Sequence, residues 1–104
     1  MSKKKIYIAG KVTGLPHDEV YAKFANMQTN LESVGFEVAN PITIVNNEQA
    51  TWLEAMKICI AELLTCDAVY LLPCHHNSKG ALIEKQLAIN LKMPCVTNVF
   101  ELMD

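Results

Sequence analysis

With 104 residues, the chain has room for one domain with one core and too few for a catalytic domain beside a separate binding domain. Nine Lys and Arg against eleven Asp and Glu leave a formal net charge of −2, which excludes the dense basic surface that holds a nucleic-acid polymer. The four cysteines, Cys59, Cys66, Cys74 and Cys95, lack CxxC spacing, follow no signal-like segment and lie in or beside apolar runs, none of them long enough to span a membrane. They read as reduced thiols of a cytoplasmic protein without membrane contact, not as disulfides or zinc ligands.

The short basic start Lys3-Lys4-Lys5 reads as a solubilising terminus. Ile6-Tyr7-Ile8-Ala9 is the first strand, ended by the turn Gly10-Lys11-Val12-Thr13-Gly14-Leu15-Pro16. A helix runs from about Asp18 to Ser33, with Val20, Phe24, Met27 and Leu31 at helical spacing, and stops at Gly35. Phe36 to Ala39 form a second strand, and Asn40-Pro41 open an irregular connection rich in Asn and Thr. The second helix runs from about Gln49 to Leu64. Asp67 to Leu72 form a third strand, apolar throughout after its first residue and therefore central and buried on both faces. A third helix follows the loop Pro73 to Gly80, Pro94 to Thr97 supply a short fourth strand, and the chain closes on Phe100 to Met103.

Strands and helices in strict alternation predict an α/β fold: a flavodoxin-like or Rossmann-like three-layer sandwich, with helices on both faces of a four-stranded parallel sheet. The expected strand order is 2-1-3-4. Ligands of such open sheets bind beyond the carboxyl ends of the strands, where connections diverge to opposite faces. The loops Gly10 to Pro16 and Pro73 to Gly80 converge there.

One residue of the third helix breaks its pattern. Gly80, Ala81, Ile83, Leu87, Ala88 and Leu91 share one face, and Glu84 projects from the middle of it. Ala81 occupies the position a capping-box Ser or Thr would need. Gly80 and Ala88, four residues to either side, offer no ion-pair partner. Burying such a carboxylate costs several kcal/mol or shifts its pKa. At the mouth of a switch-point cleft, the same carboxylate is a candidate for chemistry.

The second loop suits an anion. Asn77 or Ser78 can cap the third helix, and the free N–H groups of Lys79, Gly80 and Ala81 then form a positive nest that Gly80 leaves open to close approach. The first loop contributes Gly10 and Lys11, with the spacing of neither a dinucleotide fingerprint nor a Walker A motif. Adjacent His75 and His76 point in different directions, which argues against a metal pair. Neither a metal nor a cofactor is expected.

Lys5-Ile6-Tyr7-Ile8-Ala9-Gly10, Asp67 at the start of the third strand, and Ser78-Lys79-Gly80-Ala81-Leu82-Ile83-Glu84 together resemble the nucleoside 2-deoxyribosyltransferase superfamily, which includes deoxynucleoside 5′-monophosphate N-glycosidases. Residues 6 to 16 and 66 to 73 are also similar to a group of small phage and bacterial proteins of that fold. The resemblance implies that Glu84 is the nucleophile that attacks the anomeric carbon of a deoxyribosyl group and displaces the base. It places Tyr7 beside that glutamate, Ser78 at a 5′-phosphate, Gly80 on the motif glycine and Gly10 on the glycine of the first loop. The implied activity is a deoxyribosyltransferase or N-glycosidase acting on a nucleoside or nucleotide 5′-monophosphate.

One position departs from the resembled enzymes. Where they carry an aspartate that protonates the leaving base, this chain has Cys59, a poor general acid; His17, His75 or His76 are the remaining candidates to supply the proton. The alternative is therefore a nucleotide-binding module of the same fold with little or no turnover. Asp67 is expected to be structural.

The second helix is apolar around most of its circumference, leaving only Thr51, Glu54, Lys57 and Glu62 as a polar arc, and Leu82 and Ile89 add an apolar pair on the third helix. One sheet face cannot cover so much, so a homodimer or higher homo-oligomer is expected, as the resemblance also implies.

Overall fold

The computed structural model describes residues 3–47 and 49–103. Strand β1 (Lys5–Ala9) pairs in parallel with β2 (Glu37–Ala39) on one side and with β3 (Ala68–Leu71) on the other, and β4 (Cys95–Val96) extends the sheet beyond β3. The order is β2-β1-β3-β4, all parallel, as the alternation of elements predicts. Ile6, Tyr7, Ile8 and Ala9 are all fully buried, and residues 68 to 72 are buried throughout, so the two central strands are covered on both faces.

Because successive strand residues point to opposite faces, the apolar runs split into two cores. Ile6, Ile8, Ala68, Tyr70 and Leu72 pack against Val20, Phe24 and Leu31 of α1 (His17–Ser33). Tyr7, Ala9, Val69 and Leu71 pack against Cys59 and Leu63 of α3 (Trp52–Leu63) and Ala81 and Ala88 of α4 (Lys79–Asn90). The register of the central pair is held at its entry by Asp67. Its Oδ2 accepts from the Lys5 N–H at 2.8 Å, and its own N–H donates to the Lys5 carbonyl at 2.8 Å. Asp67 thus serves the sheet.

The connection from β2 to α3 is more ordered than an Asn/Thr-rich run suggests. It contains a short helix, α2 (Pro41–Val45): the Asn40 side chain accepts from the Ile42 N–H at 3.0 Å, Pro41 takes the first turn, and Asn46 ends it in the left-handed region at φ 41°. Helix α3 starts at Trp52, not Gln49. Thr51 and Glu54 form a capping box, the Glu54 N–H donating to Thr51 Oγ1 at 3.1 Å and the Thr51 N–H to Glu54 Oε1 at 2.9 Å. Thr51 therefore lies outside the helix on whose polar arc it was expected.

The inward strip of α4 is narrower than its apolar pattern. Only Ala81, Glu84 and Ala88 are buried, while Ile83 and Leu91 are 39% and 51% exposed. The two alanines bring the helix close to the sheet; Ile83 lies about 100° around from Glu84, and Leu91 follows the last helical residue. Leu53, Ile58 and Leu64 of the α3 region and Leu82 and Ile89 of α4 are also exposed. Among the described residues, no helix is long and apolar enough to cross a membrane.

Candidate functional site

Tyr7 sits in the middle of β1 with its ring on the α3/α4 side, and Glu84 comes down from α4 to meet it. The Tyr7 hydroxyl donates to Glu84 Oε2 at 2.6 Å, joining residues 77 positions apart in the chain. Tyr7 is fully buried and Glu84 is 5% exposed, so the bond forms where little water competes for it. Among the described residues, no cation forms an ion pair with Glu84. Burial pushes the Glu84 carboxyl up to about 7, and the bond from Tyr7 works against that rise. Burial and the neighbouring Glu84 carboxylate push the Tyr7 hydroxyl up as well, so it stays protonated and able to donate.

Cys59 of α3 stands beside the pair. Burial raises its thiol pKa, an effect the Tyr7 hydroxyl partly offsets, so at neutral pH it is a neutral thiol next to a titrating carboxyl.

Tyr7, Cys59 and Glu84 line a cavity of about 840 Å³ at the carboxyl edge of the sheet. Gly10 and Thr13 of the first loop and Ser78 and Gly80 at the start of α4 line it as well. A second cavity of about 370 Å³ shares Thr13, Trp52, Ser78 and Gly80 with the first and adds Lys11, Asn77 and Lys79. The predicted nucleophile, its tyrosine partner and the predicted substrate-binding residues thus line two adjoining spaces: Tyr7, Glu84, Gly10, Ser78 and Gly80 the larger, and Lys11, Asn77 and Lys79, with Ser78 and Gly80 again, the smaller.

The local roles of these residues are specific. Ser78 caps α4, its Oγ accepting from the Ala81 N–H at 3.1 Å, whereas Asn77 closes a short 3₁₀ turn (His75–Asn77) before it. Gly80 packs closely against α3: a Cβ there would lie 3.0 Å from Met56 Sδ, which would have to give by a few tenths of an ångström. Gly10 lets the first loop pass close to Leu72, just after β3, since a Cβ there would lie 2.6 Å from Leu72 Cδ1. The two loops are tied by Lys23, whose ammonium donates to the Lys11 carbonyl at 2.9 Å and to Cys74 Sγ at 3.0 Å. The Lys11 N–H also donates to Cys74 Sγ, at 3.3 Å. Burial works to raise the Cys74 thiol, but Lys23 and the Lys11 N–H outweigh it and hold the pKa below its ordinary value.

Of the three histidines, His17 at the start of α1 lines the large cavity, and neither His75 nor His76 lines either one. His75 Nδ1 lies 2.8 Å from the Leu72 carbonyl oxygen, and its ring meets that of His76 edge-on. The walls also include residues that pattern reading missed: Tyr21 of α1, Asn46 and Asn47 after α2, and Thr51 and Trp52 at the start of α3. The signal for the second group was present in the Asn/Thr-rich run that ends in the chain's single tryptophan. The Lys79 ammonium lies 5.0 Å from the centroid of the Trp52 ring, so the starts of α3 and α4 meet at the rim through a cation–π contact.

The family model described as a domain of unknown function, DUF4406, matches residues 4–97. The chain belongs to that family. The matched span contains both central strands, both loops and the Tyr7–Glu84 pair. No curated protein matches the chain.

Glu84 makes stability depend on pH in a direction opposite to that of an ion-paired carboxylate. Its folded pKa of about 7 lies above the ordinary 4.5, so between those values the folded state binds more protons than the unfolded state, and stability falls as pH rises. Glu84→Gln removes this dependence while keeping an oxygen that can accept from Tyr7. Urea unfolding at pH 5 and pH 8 is expected to show the variant gaining on the parent by on the order of 2–3 kcal/mol across that interval. A gap independent of pH would contradict the raised pKa.

Proposed function

We propose that the chain cleaves the N-glycosidic bond of a deoxynucleotide through a covalent glycosyl-Glu84 intermediate, releasing the base to water or exchanging it for another. The observation that carries this reading is the Tyr7–Glu84 bond of 2.6 Å at the wall of a cavity of about 840 Å³. It is supported by the resemblance of residues 5–10 and 78–84 to the nucleoside 2-deoxyribosyltransferase superfamily.

Tyr7 holds one carboxylate oxygen, and the other attacks the anomeric carbon as the C–N bond breaks and its electron pair leaves with the base nitrogen. The departing base takes a proton from water or from His17, which lines the same cavity. Attack by water or a second base at the anomeric carbon then frees Glu84. The Ser78 end of α4 receives the 5′-phosphate and so positions the sugar.

Only ionised Glu84 is a nucleophile, so with a carboxyl titrating at about 7 the rate rises with pH through that value. Chromatography of deoxynucleosides and their 5′-monophosphates incubated with the protein is expected to show free base from the phosphorylated members. Glu84→Gln is expected to lower release at least about 10³-fold. Tyr7→Phe, which removes a hydrogen bond to the charged form worth about 1.5–3 kcal/mol, is expected to move the rising limb up by about 1–2 pH units. Release unchanged in Glu84→Gln would end the nucleophile assignment. The neutral thiol of Cys59 favours a second reading, a nucleotide-binding module, for which the same panel yields binding without free base.

We further propose a homodimer that covers the exposed apolar side chains of α3 and α4, among them Leu53, Ile58, Leu82 and Ile89. Sedimentation equilibrium at micromolar concentration is expected to give twice the chain mass; monomer alone would contradict it.

A further inference from the structure

The two adjoining cavities divide the charges between them. Among the described residues, the larger is walled by one carboxylate, Glu84, and by no Lys or Arg. The smaller is walled by Lys11 and Lys79 and by no carboxylate. Their common residues, Thr13, Trp52, Ser78 and Gly80, make the smaller cavity a continuation of the larger past the first turn of α4. Trp52 also fixes where one of the charges lies, because the Lys79 ammonium is 5.0 Å from its ring centroid. Behind the first loop, the Lys23 ammonium donates to the Lys11 carbonyl and adds a third cation to this side of the site.

An anionic group deep in the larger cavity faces Glu84 with no lysine or arginine in the described wall to compensate, whereas one in the smaller cavity meets two lysines. In the N-glycoside reading, a single phosphate on the sugar is received at the shared wall, by Ser78. The lysines lie beyond that wall, where a monophosphate has no further group to offer them. We infer that the smaller cavity is a subsite for a second phosphate, so that the preferred ligand carries a 5′-diphosphate. This rests on the N-glycoside reading of the larger cavity. A terminal diphosphate and one that bridges to a second nucleoside both carry anionic non-bridging oxygens on the α and β phosphorus, three on a terminal β-phosphate and two on a bridging one, and both satisfy the subsite.

Trp52 is the chain's single tryptophan and lines both cavities, so its fluorescence reports on either. The test titrates Glu84→Gln protein, chosen to prevent turnover, with deoxynucleoside 5′-mono- and diphosphates of the four common bases and with a dinucleotide joined through its diphosphate. For at least one base, the diphosphate is expected to bind about 10-fold or more tightly than the monophosphate. Adding Lys11→Gln and Lys79→Gln together is expected to lower diphosphate affinity more than monophosphate affinity and so to erase that preference. Because Lys79 lies over the reporter ring, affinities of the lysine variant are read by equilibrium dialysis.

A dinucleotide that binds like the diphosphate supports a bridging group at the subsite, and one that binds like the monophosphate supports a terminal group. Equal affinity for mono- and diphosphates, or a diphosphate preference that survives loss of both lysines, overturns the subsite and leaves the N-glycoside reading standing. Binding of neither class overturns both.

Discussion

One hydrogen bond, made where water is scarce, ties the candidate site to the architecture. For the Tyr7 hydroxyl to reach Glu84 Oε2 at 2.6 Å, β1 must turn Tyr7 toward α3 and α4 while Ile6 and Ile8 face α1. A slip of one residue in the register would send Tyr7 to the wrong core. The reciprocal bonds between Lys5 and Asp67 oppose such a slip at the entry of the strand. From the other side, α4 must lie close to the sheet, which Ala81 and Ala88 permit, and close to α3, which Gly80 permits against Met56.

The same contacts explain why the site works against stability. Two apolar cores enclose the central strands, and into one of them the fold places a carboxyl raised to about 7 by burial, beside a tyrosine hydroxyl and a neutral thiol. A structural role would be served better by an apolar side chain at position 84. A carboxylate freed of most of its water and held by one donor is instead what the proposed nucleophile requires. The cations stand apart: Lys79 over Trp52 at the rim, and Lys23 behind the first loop, where it ties the two loops together.

Sequence reading reached the sheet and Glu84 because both rest on strong local signals, whereas Tyr7 as the partner of Glu84 came from the resemblance alone. Continuous apolar runs mark β1 and β3, and a charge within an apolar helical stripe marks Glu84. Helical periodicity was less reliable at the edges of that stripe. It assigned Ile83 and Leu91 to the inward face, where the small residues Ala81 and Ala88 admit only a narrow strip. The stretch from Asn40 to Thr51 was hidden by its composition. Its Asn and Thr suggested a loop, although Asn40-Pro41 is a helix start and Thr51 with Glu54 a capping box. Trp52 was missed for a different reason: spacing along α3 shows it to be apolar and cannot distinguish a cavity wall from an interface. Gly80 was read as an opening for a ligand, while its missing side chain also answers the approach of Met56.

The central claim is that Glu84 bonds to the anomeric carbon, and covalent trapping tests it most directly. A deoxynucleotide bearing fluorine at the 2 position of the sugar slows hydrolysis of a glycosyl-enzyme more than it prevents its formation. Incubation with such compounds, followed by intact-mass and peptide mass spectrometry, is expected to show one glycosyl group per chain on the peptide containing Glu84, absent from Glu84→Gln. Free base released with no adduct, or an adduct mapped to any other residue, would contradict the account.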